Sequence, residues 1–155
     1  AEVNSHGLYF LDDHQHLDTG ILLRMDKPHC SGHSIFRGAL KGKSRSVFQG
    51  LIKIARGAQQ TDADLSNKNL LLSTGARADA IPVLEIQADD VKAMHGATVG
   101  RIDERQMFYL KSRGLSHQQA ERLIVIGYFE SILKHIGSES TVELIQQLIQ
   151  QKIEK

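Results

Sequence analysis

Histidine and cysteine are the residues in this chain best suited to chemistry, and three groups of them stand out. His14 and His16 lie two apart, His29, Cys30 and His33 form an H-C-x-x-H run, and His95 stands alone. Imidazole nitrogen and thiolate sulfur are ligands for zinc or iron, so the first five residues invite a metal site. Against that site, Cys30 is the sole cysteine and no paired CxxC exists. His95 has no other histidine or cysteine within ten residues. Spacing alone therefore describes a core or edge histidine bonded to a backbone carbonyl. Arg56-Gly57 and Lys68-Asn69 suggest phosphate contacts, but no GxxxxGKS/T or GxGxxG run accompanies them. A Gly-x-Ser-x-Gly elbow is also missing, and no Cys/His/Asn set has a defensible arrangement. The residues point away from an enzyme.

The elements that must carry these residues change character in the stretch 83–103. Leu84, Ile86 and Ala88 alternate with Glu85, Gln87 and Asp89, the period of a strand with one buried face. Asp89-Asp90 suits a turn. From there Val91, Ala93, His95, Ala97 and Val99 occupy alternate positions, which places His95 on the apolar face of a second strand. Gly96 and Gly100 bracket that segment and allow close approach of another backbone.

Upstream, residues 7–11 (GLYFL) and 19–25 (TGILLRM) read as strands around a polar DDHQH segment, followed by an Asp26-Lys27-Pro28 turn. Ser34-Ile35-Phe36-Arg37-Gly38 is echoed twelve residues later by Ser46-Val47-Phe48-Gln49-Gly50, with a polar Lys41-Gly42-Lys43-Ser44 turn between. Such an echo predicts stacked strands, as a hairpin meander or as coils of a parallel β-helix. Glycines at tight corners favour the coil. Further strands are expected over 70–73 and 81–87, with polar turns over 61–69 and 74–79.

Beyond Arg101 the pattern switches to helices. Asp103 with Gln106 can cap the first, which Gly114 closes. Ser116 with Gln119 starts a second that runs to Gly137. Its apolar positions Ala120, Leu123, Ile124, Ile126, Tyr128, Ile132, Leu133 and Ile136 cover much of its circumference, so it needs neighbours on more than one side. Ser140 with Glu143 starts a third, with the stripe Val142, Ile145, Ile149 and Ile153. The three are expected to pack on one another and on the end of the β part.

The chain has 155 residues, 41% of them hydrophobic and 24% charged, which suits one soluble globular unit with a sizeable core. Charges balance at eleven of each sign over residues 1–100, and eight basic residues face seven acidic ones over 101–155. No basic face results, so nucleic acid is not the expected partner. No apolar run approaches the length of a membrane span, and the start AEVNSHG has no signal-peptide pattern. One unpaired cysteine fits a reducing, cytoplasmic compartment.

Residues 89–116, DDVKAMHGATVGRIDERQMFYLKSRGLS, resemble the signature of the SufB/SufD family of iron–sulfur cluster assembly scaffolds. The HGATVGRID and FYLKSRG runs are nearer its SufD branch, because SufB carries glutamate where Gly96 stands. The similarity extends from about Ser34 through the second helix. It implies a mainly β fold with α elements: a parallel right-handed β-helix over 1–100, then a three-helix subdomain over 101–155. Family members are longer, so the chain would correspond to a C-terminal portion.

The resemblance further implies a non-enzymatic scaffold working with SufB and the ATPase SufC. SufC would dock on the C-terminal helices and SufB on the β-helix end, with a homodimer forming in isolation. No cofactor would be tightly bound, but an iron–sulfur cluster would pass through transiently, with His95 as its candidate ligand at the SufB interface. Many SufD sequences carry cysteine where Ala93 stands, which leaves His95 as the ligand this chain can offer. Two other readings remain open: a small metal-binding, cupin-like β protein or enzyme using His14, His16, His29 and His33, and a homodimeric β-helix scaffold with no part in cluster chemistry.

Overall fold

In the computed structural model, which describes residues 1–154, seven strands precede three helices. The strands are β1 (Glu2–Leu11), β2 (His16–Met25), β3 (Ser31–Leu40), β4 (Arg45–Ile54), β5 (Thr61–Leu71), β6 (Arg77–Ile86) and β7 (Val91–Arg101). Odd strands form one sheet in the order β1-β3-β5-β7, and even strands a second in the order β2-β4-β6. Every pairing is parallel. Parallel neighbours need a long crossover, and here each crossover is the intervening strand of the opposite sheet. The result is a two-sheeted β-solenoid of about three turns, the β-helix class expected from the sequence.

The stacking period differs from the expectation. Glu2 lies beside Ser31, Ser31 beside Asp62 and Thr61 beside Val91, so one turn takes about thirty residues. The twelve-residue echo instead relates β3 to β4, which belong to opposite sheets. Phe36 and Phe48 sit six residues either side of Gly42 in the corner between these strands. Their rings meet across the interior at 5.2 Å. Ile35, Phe36, Val47 and Phe48 are thus in strands but not stacked on one another. Gly42 has φ +70°, and a Cβ there would press on the backbone of Asp13 in the adjacent corner. The corners stack through Lys43 N–H to the Asp13 carbonyl (2.7 Å) and Gly42 N–H to Ser73 Oγ (2.9 Å).

A second correction concerns residues 61–69, expected as a polar turn and found as most of β5. Thr61, Asn67 and Asn69 point inward and the two asparagines satisfy each other, while Asp62, Asp64, Ser66 and Lys68 face outward. Asn67 and Asn69 are buried, with Asn69 Nδ2 donating to Asn67 Oδ1 at 2.6 Å. Tyr9 Oη donates to Asn69 Oδ1 at 2.5 Å, and Asn67 Nδ2 donates to Tyr9 Oη at 3.3 Å. Gly38 makes room for this ladder, because a Cβ there would collide with both Tyr9 and Asn69. Asn69→Ala should cost about 1–3 kcal/mol, because it removes partners of the half-buried Tyr9 hydroxyl and the buried Asn67 amide. Urea melts of the two proteins check this. The expected turn over 74–79 is also shorter, since β6 begins at Arg77.

The helices are α1 (Glu104–Ser112), α2 (His117–Leu133) and α3 (Glu139–Glu154). Asp103 caps α1 by accepting from the Arg105 amide at 2.8 Å, rather than through a box with Gln106. Gly114, at φ +93°, follows its end. Ser116 and Gln119 form the expected reciprocal box. α2 stops at Leu133, short of Gly137, and α3 begins ahead of Ser140, with Ser138 Oγ accepting from the Thr141 amide.

The helices do not cap the end of the β part. They lie on the outer face of the odd sheet, where Phe10, Ala39 and Leu70 project outward in register. Val125, Phe129, Leu133, Ile149 and Ile153 cover that apolar patch. The α2 stripe that does this runs through Val125 and Phe129, whereas Leu123 is exposed. Two lysines clasp α3 to a solenoid corner: Lys41 Nζ donates to the Ile153 carbonyl at 2.5 Å, and Lys152 Nζ reaches Asp12 Oδ1 at 2.7 Å. Midway along β1, His6 stacks on His135 just beyond α2, ring centroids 4.0 Å apart. Desolvation, with help from His135 and Lys134, holds the His6 imidazole below the usual histidine range.

Candidate functional site at the open edge of the odd sheet

His95 sits mid-way along β7, in register with Leu65 of β5, which is fully buried inside the solenoid. Side chains alternate along a strand, so His95 belongs to the inward set with Val91, Ala93, Ala97 and Val99, as the alternation predicts. β7 is nonetheless the last strand of its sheet, and no strand follows β6 in the other. The interior is therefore open here. Val99 is 45% exposed and Ile86 40%, and His95 itself is exposed. Among the described residues no side chain or carbonyl hydrogen-bonds to its imidazole. This is not the enclosure of a core histidine.

The backbone of β7 is as open as its side chains. In this sheet, strand residues on the outward set bond back to the preceding strand. The Ser31 amide reaches the Ala1 carbonyl and the Asp62 amide reaches the Cys30 carbonyl. By the same alternation Lys92, Met94, Gly96, Thr98 and Gly100 face β5, and Ala93, His95 and Ala97 turn their N–H and C=O groups to the unpaired edge. A strand added there would pair directly with the backbone of His95. Gly96 has nothing within 4 Å of where a Cβ would stand, so the approach beside it is clear.

The other candidate ligands are not brought together. His14 lies in the corner after β1 against Asp13, at 2.7 Å with both side chains exposed, and His16 starts β2. His29, at φ +56°, and Cys30 lie in the turn before β3, and His33 projects outward from β3. The Cys30 thiol points to the Pro28 carbonyl at 3.8 Å. The length of β2, about 30 Å, separates His14 and His16 from the rest. Among the described residues no three His, Cys, Asp or Glu side chains form a group able to hold a metal ion.

Residues 1–128 match the family model described as SUF system FeS cluster assembly, SufBD core domain. The chain belongs to the SufBD family. Among its relatives, an iron–sulfur cluster assembly SufBD family protein of Mycobacterium leprae is 41% identical over 139 residues, 84% of this chain and 36% of that protein. The iron–sulfur cluster assembly protein SufD of Escherichia coli is 39% identical over 136 residues, 88% of this chain and 32% of its own length. SufD of Bacillus subtilis is 37% identical over 122 residues, 79% of this chain and 28% of its own. The chain thus spans about a third of the length of the curated relatives it matches.

Placed on this SufBD core, HGATVGRID is the second half of β7 with the cap of α1, and FYLKSRG is the second half of α1 with its C-terminal turn. One imidazole cannot hold an iron–sulfur cluster, whose usual ligands are several thiolates. Ala93, two residues along the same face, adds none. Among the described residues, His95 has no second ligand beside it, and the edge of β7 next to it is unpaired.

Proposed function

We propose that this chain is a non-catalytic scaffold of the SUF iron–sulfur assembly system, of the SufD type, and that it presents His95 to a nascent cluster at a seam between two chains. The observation that carries the reading is an exposed, inward-set histidine on the unpaired edge strand of a SufBD core. SufB is the partner across that edge and supplies the thiolates. In isolation a second copy of this chain takes SufB's place as a two-fold dimer.

The two units are the solenoid, which ends with β7 at Arg101, and the helices that follow it. The helices receive a SufC-type ATPase, a role supported by the apolar side chains they leave in solvent: Phe108, Tyr109, Leu123, Leu144 and Leu148. Iron and sulfide are cargo in this reading, with no resident cofactor. The site of action is the cytoplasm, and none of the described helices is long and apolar enough to cross a membrane.

His95→Ala in the assembled complex is the test. The side chain is exposed and makes no hydrogen bond among the described residues, so folding and association with SufB and SufC should stay near wild type. Cluster formation, followed by its visible absorbance, should fall about tenfold or more. Clusters that mature at the normal rate would return His95 to a passive surface role. His95→Gln, which keeps a polar side chain of similar reach, separates ligation from shape.

A further inference from the structure

Two acids are buried among the described residues, and they are treated differently. Asp12 has the Lys152 ammonium at 2.7 Å. Glu121 is 6% exposed, and no described cation lies within 4.0 Å of it and no described donor hydrogen-bonds to it. It heads the buried i, i+4 stripe of α2 that continues through Val125 and Phe129, one turn before the apolar cluster begins. Its carboxylate is not sealed in: it keeps water contact at the wall of a cleft, with no described cation bonded to it. The N-terminus of α2 supplies little balance, because its field fades within the first turn and Glu121 lies beyond it.

Glu121 lines a cleft of about 140 Å³ between the corner after β5, the end of β7, α1 and α2. Thr74, Arg101, Glu104, Met107 and His117 are among the other walls. Two carboxylates thus face one guanidinium, and Arg101 is exposed and bonded to neither. The space equals about four or five waters, enough for one ammonium or guanidinium head and too small for a nucleotide. Phe108, 74% exposed, stands one helical turn from Glu104 on the same face of α1. A carboxylate at the bottom of such a cleft fits arginine better than lysine, since the planar guanidinium fork can pair with a carboxylate through two hydrogen bonds at once.

We propose that the Glu121 cleft is the socket for an arginine side chain of the ATPase that docks on the helices. This rests on the docking surface proposed above and gives it a charged centre, the kind of buried anchor that dominates interface energies.

The experiment compares Glu121→Gln and Leu123→Glu with wild type for binding to the SufC-type ATPase by calorimetry, together with thermal melts of each. Glu121→Gln keeps the shape and removes the charge, so affinity should fall about thirtyfold or more while the melting temperature holds or rises. Affinity within twofold of wild type overturns the socket. A melting temperature several degrees lower also overturns it, because it would reveal an internal counter-ion. If Leu123→Glu loses binding and Glu121→Gln does not, the docking surface stands without the socket. If both bind as wild type, both ideas fall.

Discussion

Phe129→Ala should lower the unfolding free energy by about 3–5 kcal/mol, and the loss should fall on the helices before the solenoid. Phe129 is fully buried at the centre of the cluster that joins Phe10, Ala39 and Leu70 of the odd sheet to α2 and α3. The sheet side of this contact is already rigid, so it cannot collapse into the cavity. The polar ties beside it are few: the Lys41 and Lys152 contacts of α3 and the His6–His135 stack. Partly exposed ties of this kind contribute little each and cannot replace a buried aromatic ring. Amide exchange gives the regional readout, with protection falling in α2 and α3 and holding in β3–β5. A uniform loss, or a cost below 1 kcal/mol, would mean that the cluster is not what holds the helices.

Ala97→Pro and Thr98→Pro should act oppositely although they are neighbours. Proline removes an N–H. At Ala97 that N–H faces the open edge, and at Thr98 it bonds to β5. Ala97→Pro should therefore leave the isolated chain folded and weaken association through β7 about tenfold or more, for a second copy and for SufB alike. Thr98→Pro should lower the melting temperature because it breaks the β5–β7 ladder. Light scattering after gel filtration, with melts of both variants, separates the cases. Undiminished self-association of Ala97→Pro would move the seam to some other surface.

These two expectations draw on different amounts of sequence information. The face that His95 shares was legible, because Val91, Ala93, Ala97 and Val99 alternate with polar or small residues, and period two has one structural meaning. Its exposure was not legible, since it depends on no strand following β6. β5 was hidden because its inward positions include Asn67 and Asn69, which satisfy one another and Tyr9 sixty residues away in sequence. The echo of Phe36 in Phe48 was real but marked opposite walls of one turn, because spacing cannot distinguish side-by-side from face-to-face. The helix starts followed local capping chemistry at Ser116 closely. Where the helices dock followed from Phe10, Ala39 and Leu70 lining up across three strands, a coincidence of register that no single segment carries. Glu121 left a faint signal, a charge at the head of an i, i+4 apolar series.

The open last turn also bears on how the fold holds order along its length. A solenoid is quasi-one-dimensional: each turn is steadied by the turns above and below, and its ends fray first. β7 has a neighbour on one side only, so it lies at the labile end of the gradient, and His95 lies on it. A partner strand arriving at that edge would turn an end into a middle. Under the role proposed for His95, the ligand geometry would then tighten as a result of assembly, and a lone chain would be a poor trap for iron.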